Sequence, residues 1–259
     1  MSQSSTAGAG ADIVLRTEKL TKAFRGFVAV NEVSLDIARG AVHALIGPNG
    51  AGKTTVFNLV TKFLDPTEGR IFFNGRDITE MRPAEVARLG MVRSFQISAV
   101  FPNLTALENV RVALQRFRGD GFHFWRSDAV LAELNDRARA LLAEVGLESL
   151  ADRPAAELPY GRRRALEVAT TLALEPELLL LDEPTSGMAH EDIGRIVDLI
   201  RRISVNRTVV MVEHNLSVVA DLSHRITVLS RGEILADGSY DEVSRDPAVV
   251  EAYMGGTVE

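Results

Sequence analysis

The chain has 259 residues, no cysteine, 46% hydrophobic and 25% charged residues, and 29 basic against 35 acidic side chains for a net charge of −6. That composition excludes a mostly disordered or fibrous chain, a disulfide framework and any thiolate metal site, and it argues against a general nucleic-acid coat. No apolar run reaches the roughly 18 residues that span a bilayer, and residues 1–12 carry neither a basic nor an apolar signal-like region, so a soluble, intracellular protein is expected.

Residues 1–12 (MSQSSTAGAGAD) are small and polar and read as a disordered tail. The runs IVLRTEKLTKAF, VAVNEVSLDI and AVHALIG read as strands, and Asn74-Gly75 after IFF as a hairpin turn. From about residue 105 the character becomes helical. Thr105 and Glu108 have capping-box spacing, and Leu107, Val110 and Leu114 then share a face. Val130, Leu134, Ala138, Leu141 and Val145 form a longer stripe that Gly146 closes as a C-cap. Between the two helices, RFRGDGFHFWR (116–126) is a basic-aromatic loop. It reads as an insertion whose aromatics cover a local apolar surface, with partner contact as the alternative.

After residue 158 a helix at 162–174 leads to the apolar run 178–181. A helix at about 191–203 leads to TVVMVE (208–213), and ITVLS follows at 226–230. Apolar strands alternating with helices mean a buried parallel sheet. The expected organisation is an α/β core over 13–96 and 158–259, with a helical segment over 97–157 inserted into it.

GPNGAGKTT at 47–55 fits G-x-x-x-x-G-K-[ST] through Gly47, Gly52, Lys53 and Thr54. A strand-like AVHALI precedes it and a helical TTVFNLVTKF follows. Glycines let the loop (Gly47, Pro48, Asn49, Gly50, Ala51, Gly52) wrap a phosphate with its N–H groups, which Pro48 alone lacks, pointing inward, and the helix adds its positive end. Lys53 would place a compact charge on the β- and γ-phosphates, and Thr54 a hydroxyl on Mg²⁺, with Thr55 beside it. Only four of the cations are lysine (Lys19, Lys22, Lys53 and Lys62), which adds some weight to Lys53.

The run 178–181 ends in Asp182-Glu183-Pro184. Ligands of parallel sheets sit at the carboxyl ends of strands. Asp182 is then placed to hold Mg²⁺, and Glu183, on the other face of the pleat, to accept a proton from an attacking water.

These elements together resemble ABC-type ATPase subunits over nearly the whole chain from about Ile13. The resemblance implies a P-loop ABC ATPase fold: a mostly parallel core sheet, an antiparallel β-subdomain, an inserted helical subdomain and a C-terminal helical tail. In RSFQ it places Gln96 at the Q-loop, which senses Mg²⁺ and the attacking water. LPYGR (158–162), with Tyr160 and Gly161, sits at the signature segment. VEHN puts His214 at the switch histidine that contacts the γ-phosphate. Phe24 falls at the aromatic that stacks on adenine, a core phenylalanine being the alternative. The implied catalytic set is Glu183, His214, Gln96 and Lys53, with ATP and Mg²⁺ as cofactors and Thr54, Gln96 and Asp182 around the metal.

FPNLTALENV, the Tyr-Gly signature, VEHNLSVVADLSHRITVLSRGEILADGSYDEV and the ending DPAVVEAYMGG are closer still to the nucleotide-binding subunit of branched-chain amino-acid importers. Importers of urea, amides or aromatic acids remain alternatives. Implied partners are integral-membrane permease subunits, a second ATPase subunit (identical or not) and, indirectly, a periplasmic or extracellular solute-binding protein. No nucleic acid is implied. The implied place is peripheral, on the cytoplasmic side of the inner membrane.

Two positions depart from the family pattern. Pro159 replaces the signature serine and offers neither hydroxyl nor N–H. Ala189 replaces the usual aspartate of the D-loop. They raise a second possibility, a regulatory subunit with weak hydrolysis. The run Arg162-Arg163-Arg164 at a positive helix end suggests either an anion there in the working state or side chains that point to water. A small GTPase is excluded, because no Asn-Lys-x-Asp guanine-reading motif exists.

Overall fold

A computed structural model describes residues 12–94, 100–115 and 134–254. Two sheets organise them. The larger has six strands in the order β11-β10-β4-β9-β8-β7. They are β4 (Val42–Ile46), β7 (Met91–Ser94), β8 (Leu178–Asp182), β9 (Thr208–Val212), β10 (Arg225–Ser230) and β11 (Glu233–Gly238). All neighbours are parallel except β10 and β11, which form an antiparallel edge hairpin. The smaller sheet is antiparallel. It joins β1 (Ile13–Phe24), β2 (Phe27–Val33), β3 (Asp36–Ala38), β5 (Glu68–Phe73) and β6 (Arg76–Asp77).

The central strands are buried on both faces, which is why their sequences read as unbroken apolar runs. Alternation then divides their side chains. Val42, Ala44, Leu179, Leu181, Val209 and Met211 join one core. Leu45, Leu178, Leu180, Val210 and Val212 join the other, against α1 (Lys53–Val60) and the antiparallel sheet. The first core also takes Leu107 and Val110 of α3 (Ala106–Leu114) and Leu141 and Leu142 of α4 (Asn135–Glu144). It is completed by α5 (Tyr160–Leu172), α6 (His190–Ile203) and α7 (Leu216–Leu222).

Several local expectations hold. Asn74 and Gly75 adopt φ of 51° and 73°, the paired left-handed conformation of a tight hairpin turn. Thr105 accepts from the Glu108 amide while the Glu108 carboxylate takes the Thr105 N–H. Gly146, at φ 74°, follows α4 as a left-handed cap. Others shift. The signature helix begins at Tyr160 rather than Arg162, because Pro159 at φ −55° sits at its N-cap and lets the first turn form there. β7, β11 and α2 (Pro83–Arg88) carry no periodic pattern of their own. β7 takes its place from in-register pairing with β8, Met91 to Leu178 through Ser94 to Leu181. α8 (Tyr240–Ser244) and α9 (Pro247–Met254) end the described chain. The loop 116–126 and Val130 lie outside the described residues.

Gly69 shows how closely the small sheet is packed. It has φ +92°, and a Cβ there would stand 2.4 Å from the Lys19 carbonyl oxygen and 2.6 Å from that of Glu18. Backbone strain and overpacking then add, so Gly69→Ala is expected to destabilise by about 2–4 kcal/mol. Gly40, also at positive φ (+72°) but with open space around it, isolates the strain alone. Gly40→Ala is expected to cost roughly 1 kcal/mol, both variants being read by equilibrium denaturation in urea. Equal losses at the two positions would contradict the packing.

Candidate active site

The carboxyl ends of β4, β8 and β9 meet at one edge of the parallel sheet. The loop after β4 is residues 47–52. Gly47 has φ 147°, and a Cβ there would lie 2.1 Å from the Leu229 carbonyl oxygen. Gly52 has φ 99° and approaches the Ala29 carbonyl as closely as 2.7 Å by the same measure. Only glycine follows this path. Gly52 is the N-cap of α1, with no capping side chain and no acid in the first turn. The first intrahelical bond near this end is from the Val56 N–H to the Gly52 carbonyl. The amides of Lys53, Thr54 and Thr55 therefore begin the helix with their positive end open, the arrangement that receives phosphate.

Lys53 turns back over its own loop. Its ammonium donates to the Gly47 carbonyl at 2.6 Å and to the Pro48 carbonyl at 3.0 Å. Burial lowers its pKa, and the negative charge of Glu183 opposes that shift. The lysine and the glutamate therefore share one electrostatic neighbourhood. Thr54 is exposed and Thr55 half-buried, whereas Asn49 and Gly50 stand at the surface. A cavity of about 780 Å³ runs outside the loop, between 48–51 and Ala248, Glu251 and Ala252 of α9.

Asp182 shares the face of Leu180 and is buried. Arg93 of β7 pairs with its Oδ2, and the same guanidinium donates to Asn58 Oδ1 of α1 at 2.6 Å. The other oxygen of Asp182, Oδ1, is buried without a hydrogen-bond partner. An orphaned buried carboxylate oxygen fits a Mg²⁺ that takes most of its ligands from phosphate and water. Among the described residues no group of three or more His, Asp or Glu converges to cage an ion unaided.

Glu183 does not continue the pleat. It adopts φ 46°, a left-handed turn held by its N–H to the Val212 carbonyl at 2.9 Å. The turn, rather than strand alternation, aims the carboxylate. His214 follows β9 with its side chain 60% exposed. Phe24 is 44% exposed at the tip of the β1–β2 hairpin, opposite Phe27 in the register and with Lys22 Nζ 5.3 Å from its ring centre. That exposure removes the core-phenylalanine alternative. The hairpin leans on Gly52 through Ala29, which carries Phe24 toward the phosphate loop. Gln96 lies outside the described residues.

Tyr160 and Gly161 open α5 against the 186–192 segment. The Tyr160 hydroxyl donates to the Ser186 carbonyl at 3.3 Å, and Gly161 abuts the Asp192 carboxylate. The three arginines behind them each find a partner within this chain. Arg162 donates to the Gly146 carbonyl at the end of α4, Arg163 to the Leu158 carbonyl, and Arg164 makes a buried ion pair with Glu167. A cation at a helix carboxyl end is favourable, which offsets its place at the start of α5.

Motif reading passed over Arg93, Asn58, Thr185 and Glu213. Arg93 carried a usable signal, a lone cation in a buried strand. Removing it strands a buried carboxylate. Arg93→Met is expected to cost about 3–5 kcal/mol, read as a fall in Tm of roughly 6 °C or more in the metal-free protein. An unchanged Tm would mean that Asp182 does not depend on the arginine.

Two family profiles match the chain. One described as ABC transporter covers residues 30–186, and one described as branched-chain amino acid ATP-binding cassette transporter covers 233–259. The chain is 38% identical over 252 residues to the high-affinity branched-chain amino acid transport ATP-binding protein BraF of Pseudomonas aeruginosa, covering 93% of this chain and 98% of that one. It is 36% identical, with the same coverage, to LivG of Escherichia coli K12, which carries the same description. Among solved structures, a nucleotide-free ATP-binding cassette from an ABC transporter superposes with a TM-score of 0.81 at 31% identity, covering 93% of this chain and 98% of that one. The ADP conformation of an ABC-transporter cassette gives the same TM-score and identity, covering 94% and 99%. The chain belongs to the ABC transporter family, as one of its ATP-binding cassettes.

Proposed function

We propose that this cassette is the ATP-hydrolysing subunit of an importer for branched-chain or related hydrophobic amino acids, bound peripherally to the cytoplasmic side of the membrane through permease subunits. The observation that carries the ATPase site is the meeting of Lys53, the open end of α1, Asp182 and Glu183 at one sheet edge. The descriptions of the relatives carry the solute class. Among the described residues no helix is long and apolar enough to cross a membrane. The relatives are described as the ATP-binding proteins of their transport systems, which leaves the translocation path to permease subunits in this reading. A solute-binding protein would deliver the solute to them.

In this reading ATP lies along residues 47–55 with its adenine on Phe24. Lys53 leaves its own carbonyls for the phosphates. Mg²⁺, when bound, neutralises phosphate charge, and Thr54, Asp182 and Gln96 would hold it. Glu183 takes the proton of the attacking water, and His214 supports the terminal phosphate. Tyr160, exposed at the start of α5, and Gly161 beside it would face a second cassette. The segment 97–157 is the side offered to the permease.

Neither Pro159 nor Ala189 supplies a capping side chain to the helix it precedes. Each leaves a helix start without the oxygen that most family members place there. A pair with a non-identical second cassette accommodates this, and a weakly hydrolysing regulatory role is the second reading.

The direct experiment is Glu183→Gln in the full chain. ATP binding is expected to persist while turnover falls by about 10²–10⁴-fold, the range of a lost general base. Turnover within a few-fold of the parent would remove Glu183 from the role. Reconstituted with its permeases, the complex is expected to take up leucine in preference to urea. The reverse preference would reassign the solute.

A further inference from the structure

We infer that Glu213 is a positioning residue that locks the turn bearing Glu183 to the segment bearing His214, so that base and histidine are presented as one rigid unit. The inference rests on the ATPase site proposed above and deepens it.

β8 and β9 end in register, Asp182 beside Val212, so Glu183 and Glu213 leave the sheet side by side. Their environments differ sharply. Glu213 is fully buried, at 0% exposure. A carboxylate there without partners would be costly, yet it makes four hydrogen bonds and divides them between two loops. Oε1 accepts the His214 N–H at 2.9 Å and the Asn215 N–H at 3.1 Å. Oε2 accepts the Thr185 hydroxyl at 2.7 Å and the Thr185 N–H at 3.3 Å. Thr185 is two residues past Glu183, inside the turn whose Ser186 N–H closes on the Glu183 carbonyl at 3.0 Å. One side chain thus fixes the backbone on both sides of the place where a water must stand. Its oxygens are occupied by backbone and threonine, and the His214 Nδ1 stands 3.5 Å from Oε1, so the carboxylate also lies against the ring it positions.

Charge-assisted bonds to backbone N–H groups are among the stronger ones and set direction as well as distance. The left-handed φ of Glu183 is a conformation that persists only where neighbours over-determine it. The Thr185–Glu213 bridge, with the Val212 carbonyl, supplies that constraint. Misplacement of a catalytic group by about 1 Å costs up to ~100-fold in rate with little effect on ground-state binding.

The test uses the full chain and measures ATP affinity, KM and kcat per nucleotide-binding site for Glu213→Ala, Glu213→Gln, Thr185→Val, Thr185→Ser and Glu183→Gln. The expected result is a kcat loss of roughly 10–100-fold for Glu213→Ala and about 5–10-fold for Thr185→Val, with KM and ATP affinity within about 2-fold. Glu213→Gln, which keeps one acceptor oxygen, and Thr185→Ser, which keeps the hydroxyl, are expected to recover most of that loss. Parental kcat per site in Thr185→Val and in soluble Glu213→Ala would overturn the inference, and so would equal losses in Thr185→Ser and Thr185→Val. If Glu213→Ala does not fold, the threonine pair decides. Glu183→Gln separates the two layers: its retention of turnover defeats the site assignment, whereas its collapse beside a normal Thr185→Val defeats only the role of Glu213.

Discussion

The site depends on a positive charge that the protein gathers and offsets only in part, through Glu183. Lys53 is largely withdrawn from water, and its ammonium is satisfied by two carbonyl oxygens of its own loop. Behind it α1 opens without a capping side chain or an acidic residue. Both features oppose the usual preference for an acid at a helix start, and both are resolved by a polyanion in the loop. The glycines at 47 and 52 are needed because the loop passes within contact of the Leu229 and Ala29 carbonyls at positive φ.

The parallel sheet converts this into chemistry. β4 delivers the phosphate loop, β8 delivers Asp182 and Glu183, and β9 delivers Glu213 and His214, all at one edge. Arg93 adds a fourth strand to the arrangement by joining Asp182 to Asn58 on α1. The acids differ because their backbones differ. Asp182 stays in the pleat and is buried, Glu183 is turned out by a left-handed φ, and Glu213 is drawn in by four donors. The three acids proposed as proton acceptor, metal-facing carboxylate and positioning group thus differ in their surroundings rather than in charge.

The parts legible in the sequence are those where a local pattern carries the whole physical demand. The phosphate loop is contiguous, and its glycines, lysine and threonines are all needed at fixed spacing. The buried strands announce themselves by unbroken apolar runs, and the Thr105 cap by its glutamate three residues on. The parts that escaped depend on partners distant in sequence. Arg93 and Glu213 acquire meaning only when parallel pairing sets β7 beside β8 and β8 beside β9. The three arginines of the signature helix suggested an anion or solvent because their partners, Gly146, Leu158 and Glu167, are chosen by packing. Pleat alternation does not extend to Glu183, because it ends where the left-handed turn begins.

Equilibrium binding of magnesium-ATP to the full chain, compared with Lys53→Ala, tests the central claim most directly. The account predicts saturable binding by the parent chain and at least about a 10-fold weaker affinity in the variant, the loss of a charge-assisted contact of roughly 1.5 kcal/mol or more. Absence of binding by the parent, or equal affinity in both, would contradict it.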